Sequence, residues 1–138
     1  MPVAALLFCY AGLACGSTLP EPPIGPHPSD EYVEVPYPPP APAVEVVPDS
    51  PQSDAVWVDG QWIWRGRYYV WQRGGWLIPP AGAYFAPWSK FYTKDGTLYF
   101  ADGTWRRASD RARIARPPFV RSASTPATRN TPESVLTH

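Results

Sequence analysis

The chain has 138 residues, 20 prolines and a formal net charge of zero. This length suits a single domain, and twelve of the prolines lie in Pro20–Pro51, which excludes a compact core in that part of the sequence. The zero charge conceals an asymmetry, since seven acids and no Lys or Arg precede Val56, whereas seven Arg occur from Arg106 onward. Either the two oppositely charged arms attract each other weakly, or the basic tail contacts an anionic surface such as lipid head groups or a wall polymer.

Residues 1–14 are apolar and too short to span a bilayer as a helix. They are typical of the hydrophobic part of a secretory signal, and Cys15 follows them within a sequence that resembles a lipobox. Gly12 stands where a lipobox usually has leucine, and no Lys or Arg lies in the n-region of the stretch. Cleavage by the ordinary signal peptidase, and a cytosolic protein with a mis-assigned start, are therefore the alternatives. We expect export, with acyl chains on Cys15 anchoring the protein to a membrane.

Residues 15–54 are predicted to be a proline-rich acidic spacer. Proline fixes φ and removes backbone donors, so this segment should adopt an extended polyproline II conformation. At about 3.1 Å per residue, it would hold the folded part on the order of 100 Å from the membrane. The alternative is that the segment is a ligand for proline-binding domains.

The segment Trp57-Val-Asp-Gly60-Gln-Trp62 predicts a tight β-hairpin. Asp-Gly suits a type I′ turn, which would place Trp57 opposite Trp62 at a close, non-hydrogen-bonded position. The same spacing recurs in Trp71-Gln-Arg-Gly74-Gly75-Trp76 and, with Phe first, in Phe100-Ala-Asp-Gly103-Thr-Trp105. A degenerate copy begins at Phe85, with Trp88 in the glycine position and Lys90 in the second aromatic position.

These segments resemble the WxxGxW (YxWGxW) repeat family, closely over Trp57 to Pro80 and loosely over Phe100–Trp105. Members of that family are small bacterial envelope proteins, often lipoproteins, without an established activity. The resemblance therefore implies a location in the bacterial cell envelope, as an outer-membrane lipoprotein facing the periplasm or the surface. It implies no reaction.

The predicted fold is an all-β domain over residues 55–108, a small antiparallel meander of tight hairpins. Uncovered edge strands leave pairing with another copy open. Residues 109–138 are predicted to be a basic Ser/Thr/Pro-rich disordered tail, with a brief helix over Asp110–Arg116. The residues assigned to the hairpin turns are Asp59, Gly60, Gly74, Gly75, Asp95, Gly96, Asp102 and Gly103, and Arg65-Gly66 is a further turn signal.

No catalytic set, metal cluster or cofactor motif is found in the sequence, so we predict a non-enzymatic protein without cofactor or metal. Each acid of the domain directly precedes a glycine, where a turn explains it. The candidate contact residues are aromatic, and they either fill the core or form an exposed patch that stacks on sugar rings: Trp57, Trp62, Trp64, Trp71 and Trp76. The predicted function is structural or interactive, with an envelope protein or cell-wall glycan as partner and no nucleic acid. The alternative is a glycan- or peptidoglycan-binding module.

Overall fold

The computed structural model describes residues 18–121, which are almost entirely antiparallel β-structure. The predicted all-β class is confirmed. No helix among these residues is long and apolar enough to cross a membrane. A 3-10 turn at Ser29–Glu31 is accompanied by ten short strands: β1 (Val33–Glu34), β2 (Val56–Val58), β3 (Gln61–Trp64), β4 (Tyr69–Gln72), β5 (Gly75–Leu77), β6 (Ala83–Ala86), β7 (Ser89–Tyr92), β8 (Leu98–Ala101), β9 (Thr104–Arg107) and β10 (Arg113–Ile114).

Strands β2 to β5 form one long hairpin, here called hairpin A. β2 pairs with β5 and β3 with β4, in one continuous register from Val56↔Leu77 to Trp64↔Tyr69. Both sides of the ladder are interrupted in the middle, at residues 59–60 and 73–74. The chain reverses at residues 65–68, where Gly66 has a φ of 82°.

Strands β6 to β9 form hairpin B on the same plan. β6 pairs with β9 and β7 with β8, in one register from Ala83↔Arg107 to Tyr92↔Leu98. The interruptions lie at residues 87–88 and 102–103. The chain reverses after Thr93, where Gly96 has a φ of 89° and its amide donates to Thr93 O at 3.0 Å. The predicted turn at Asp95-Gly96 is therefore confirmed.

The other predicted turns are wrong. Asp59-Gly60, Gly74-Gly75 and Asp102-Gly103 all lie at or beside the interruptions, where the chain continues instead of reversing. None of these glycines has a positive φ. A two-residue turn at Asp59-Gly60 would pair only the few residues of one segment, whereas the long hairpin pairs two whole segments. The larger set of non-local contacts thus overrides the local turn preference.

The chain on both sides of the hairpins belongs to the fold, so the predicted boundaries 55–108 are too narrow. β1 pairs with β8, Val35 is buried, and Pro20 O accepts a hydrogen bond from Trp57 N at 2.9 Å. The prediction of a free spacer over residues 15–54 is therefore wrong for the residues from Pro20 onward. Prolines without donors still offer carbonyl acceptors, and the strands supply the donors.

On the C-terminal side, β10 pairs with β9 in place of the predicted helix at Asp110–Arg116. Phe119 bridges to Leu77, and Val120 N donates to Trp76 O at 2.8 Å. The tail predicted from residue 109 is therefore ordered against the strands up to Arg121.

The two hairpins share their cores. One buried cluster joins Val58 and Leu77 of hairpin A to Ala83 and Trp105 of hairpin B. A second cluster contains Val35, Leu98 and Phe100, with Trp64 and Tyr69 packed against it. The apolar side of each hairpin is thus covered by the other hairpin and by the N-terminal arm.

Candidate functional site

The predicted contact tryptophans form cross-strand pairs within hairpin A. The rings of Trp57 and Trp76 meet edge to face with centroids 5.5 Å apart, and those of Trp62 and Trp71 do so at 5.2 Å. Trp57 and Trp76 are buried, with 7% and 5% exposure, whereas Trp62, Trp64 and Trp71 are half-buried. The core interpretation therefore holds for the first pair, and the second pair lies closer to the surface.

Each aromatic-x-x-Gly-x-aromatic segment, here called a unit, pairs with another unit and not with itself. Units 57–62 and 71–76 pair in hairpin A, and units 85–90 and 100–105 pair in hairpin B. In each hairpin, the first aromatic of one unit faces the last position of the other. The degenerate unit at Phe85, which the sequence suggested only weakly, therefore occupies the same structural place as the others.

In two units, the glycine makes room for the first aromatic of the partner unit. A Cβ on Gly60 would collide with the ring of Trp71, and one on Gly103 would lie 2.9 Å from the ring of Phe85. In the degenerate unit, Trp88 replaces glycine and stacks on Phe100 at 6.1 Å. The spacing of the motif thus serves ring packing across the hairpin.

Residues 36–48, here called the strap, cross the outside of hairpin A. Trp62 Nε1 donates to Ala41 O at 3.1 Å, and Trp76 Nε1 donates to Pro48 O at 2.9 Å. Between these two contacts, Glu45 accepts from Trp71 Nε1 at 3.0 Å and from Gly74 N at 2.9 Å. Three indole N–H groups therefore bind a single extended, proline-flanked segment.

The strap begins at an aromatic contact. The ring of Tyr37 meets those of Trp64 and Tyr69 edge to face, at 5.6 and 5.8 Å. Tyr37 OH donates to Arg67 O at 2.7 Å, and Tyr69 OH donates to Tyr37 O at 3.1 Å. Burial, chiefly, raises the pKa of Tyr69 to about 12, so this phenol remains a donor at neutral pH.

The acidic N-terminal arm and the basic C-terminal arm meet in one cluster of charged side chains. Glu31 pairs with Arg106 at 2.8 Å and with Arg113 at 2.7 Å, and Arg106 is buried. The guanidinium groups of Arg106 and then Arg113 hold the pKa of Glu31 below its ordinary value. Of the two alternatives for the charged arms, the attraction between them is thus realised at Glu31, which no local pattern in the sequence marks.

Two of the acids assigned to turns, Asp59 and Asp102, accept hydrogen bonds from tryptophans of hairpin A. Asp59 Oδ1 accepts from Trp57 Nε1 at 2.7 Å, and Asp102 Oδ1 accepts from Trp64 N at 2.9 Å. Burial raises the pKa of Asp102 above its ordinary value. Asp102 therefore joins hairpin B to hairpin A.

Gln61 makes the second junction between the hairpins. Its side-chain amide donates to Gly103 O at 3.0 Å and accepts from Gly103 N at 2.9 Å, at the interruption of the hairpin B ladder. Gln61 thus replaces the missing strand partner of Gly103. No local pattern marked this residue, because its partner lies on the other hairpin.

An open groove of about 620 Å³ lies between the strap and the C-terminal segment. Trp57, Trp76, Arg73 and Phe119 line it. Over residues 18–121, no three His, Cys, Asp or Glu side chains are grouped so as to hold a metal ion. The predicted lipidation site, Cys15, and the predicted signal lie outside the described residues.

Comparison with known proteins gives no assignment, since no protein-family model, curated protein or solved structure matches this chain.

Proposed function

We propose that this chain is a non-catalytic interaction protein of the bacterial cell envelope, exported and anchored by lipid on Cys15. The observation that carries the interaction role is the binding of the strap by hairpin A. The indoles of Trp62, Trp71 and Trp76 all donate to this one extended segment. Aromatic surfaces that bind proline-rich extended peptides are a recurrent means of protein recognition.

The proposed anchor would hold the folded part close to the bilayer. Pro20 already contacts Trp57, and only about five residues separate it from Cys15. At about 3.5 Å per residue, the tether reaches at most about 18 Å. The interaction surface would then act near the membrane, and not at the end of a long spacer.

The test of export and anchoring is the intact mass of the protein from its native membrane fraction. We expect a chain that begins at Cys15 and carries acyl groups. Cys15→Ala should move the protein out of the membrane fraction, whereas Cys9→Ala, which changes a residue of the proposed signal, should not. An unmodified chain beginning at Met1 would refute the anchor.

The alternative proposal is a glycan- or peptidoglycan-binding module. The groove of about 620 Å³ favours it, because the groove is lined by Trp57, Trp76 and the polar Arg73. Apolar aromatic side chains beside a hydrogen-bonding group suit a sugar ring. Soluble peptidoglycan fragments should then shift tryptophan fluorescence saturably, and Arg73→Ala should weaken that shift. If tryptophan fluorescence is unchanged at millimolar concentrations of these fragments, this alternative is excluded.

A further inference from the structure

We propose that the strap-binding surface of hairpin A accepts the strap of a second copy of this chain, so that two copies associate by exchanging straps. The surface is defined by the indole N–H groups of Trp62, Trp71 and Trp76 and by the amide of Gly74. This inference deepens the interaction role proposed above and does not depend on export or lipid.

The surface recognises a specific acceptor pattern. It takes a carbonyl at Ala41, a carboxylate at Glu45 and a carbonyl at Pro48. Glu45 is bound through both oxygens, one by an indole and one by a backbone amide. Pro42 and Pro48 lack N–H donors and favour the extended conformation that presents these acceptors. The matching ligand is thus an extended Ala-Pro-x-x-Glu-x-x-Pro segment, which every copy of the chain carries.

The strap is held by few contacts of its own. Val44 and Val46 between the contact points are 99% and 91% exposed. Among the described residues, no backbone–backbone hydrogen bond involves positions 36–48. The open groove of about 620 Å³ lies against strap residues 44–48. Release of the strap therefore breaks the Tyr37 ring contacts, the packing of Val47 against the buried pair Trp57 and Trp76, and a handful of side-chain hydrogen bonds, but no strand pairing.

Exchange restores the hydrogen bonds that release of the strap breaks. When two copies trade straps, each surface again binds the same sequence, so the indole and amide donors of one chain bind the acceptors of the other. Within one chain the tether gives the strap a high effective concentration, which favours the closed monomer. Exchange should therefore become prominent where copies are crowded or where the closed form is weakened.

Two complementary variants of the full-length chain test the proposal. Glu45→Ala weakens the strap and keeps the surface, whereas the double variant Trp62→Phe/Trp71→Phe keeps the strap and removes two indole donors while retaining an aromatic ring at both positions. In the mixture, the intact surface of the Glu45→Ala chain can bind the intact strap of the Trp62→Phe/Trp71→Phe chain. Neither variant alone offers both an intact strap and an intact surface. In the matched control mixture, Val46→Ala takes the place of Glu45→Ala, because Val46 is an exposed position of the strap.

We expect the mixed variants to form a heterodimer, measured by sedimentation and by energy transfer between labelled chains. Its population should exceed that of either variant alone by about tenfold, as loss of a charged hydrogen bond implies. A synthetic peptide of residues 36–49 should dissociate the heterodimer, whereas the same peptide with Glu45→Ala should not. The Val46→Ala mixture should stay monomeric.

A mixture that stays monomeric while both variants keep the circular dichroism of the native chain would overturn the proposal. If Glu45→Ala does not fold, Glu45→Gln removes the charge at nearly constant shape and is tested in the same way. If the peptide binds the Glu45→Ala chain but the two variants do not associate in the mixture, a second copy is not the partner of this surface. In that outcome the surface serves a proline-rich segment of another protein.

Discussion

At the scale of single residues, the glycines inside the units are required by close approach between strands and not by backbone conformation. Gly60 and Gly74 both have ordinary φ angles. A Cβ on Gly74 would lie 2.6 Å from Val58 O and 2.7 Å from Gly60 N, whereas one on Gly60 would meet the Trp71 ring and the Glu45 carboxylate. Side chains can shift and backbone cannot, so the two glycines should differ in their tolerance of alanine.

Gly60→Ala should lower the free energy of unfolding by about 1–3 kcal/mol through overpacking. Gly74→Ala should lower it by more. Gly66→Asn is the control, because Gly66 has a φ of 82° with open space around its Cα. Asparagine tolerates that conformation, so its effect should be a few tenths of a kcal/mol. Urea unfolding followed by tryptophan fluorescence measures all three. Equal costs at Gly60 and Gly66 would contradict the ring-packing role.

At the scale of elements, Glu31 ties the N-terminal arm to β9 and β10. Its partners Arg106 and Arg113 lie on neighbouring strands, and Arg106 is 2% exposed. Removing one member of a buried charge pair leaves the other without compensation. The arm is therefore attached by electrostatics at this point and by the indole donors at the strap.

Glu31→Gln should lower the free energy of unfolding at pH 7 by about 1–3 kcal/mol. The folded pKa of Glu31 lies below its ordinary value of 4.5, so the folded state binds fewer protons here than the unfolded state. The stabilisation is then complete above the unfolded pKa and is lost as the pH falls through the folded pKa. Unfolding curves of the wild type and the variant should converge below that pH.

The control for this charge pair is Asp110→Asn. Asp110 pairs with Arg107 at 2.9 Å, but both side chains are about half exposed, at 49% and 56%. Exposed pairs contribute little, so this variant should change stability by less than Glu31→Gln at pH 7. A difference between wild type and Glu31→Gln that does not depend on pH would contradict the electrostatic role of Glu31.

At the scale of the whole molecule, the folded unit contains the arm as well as the two hairpins. Val35 fills the core beside Leu98 and Phe100, and the strap satisfies three indoles. A domain of roughly fifty residues buries too small a fraction of its surface to be stable on its own. The arm supplies the additional burial.

A chain that lacks residues 1–48 should therefore lose cooperative thermal unfolding and near-ultraviolet circular dichroism. Two point variants distinguish the effect of losing the core contact of Val35 from the effect of shortening the chain. Val35→Ala should cost about 1–3 kcal/mol, because Val35 is 3% exposed, whereas Val44→Ala at 99% exposure should cost almost nothing. A shortened chain with a native melting transition would instead restore the predicted boundaries 55–108.

Local patterns in the sequence anticipated part of this fold. Aromatic and β-branched runs indicated strands, and Arg65-Gly66 and Asp95-Gly96 marked the reversals at the tips of hairpins A and B, where glycine has a positive φ. Gly60, Gly74 and Gly103 carry the same local signal without a reversal. Glu31, Glu45 and Gln61 carry no local signal, since the partner groups of each lie at least eleven residues away in the chain.

The sequence by itself determined the all-β class and the spacing of the units, because these depend on side-chain alternation and on the residue types along each strand. Only the tertiary structure decided which units pair and that the proline-rich segment lies on the strands. A unit is locally compatible both with a turn and with an interrupted strand. The choice between them depends on non-local pairs such as Trp57 with Trp76, whose contacts form only when distant segments meet.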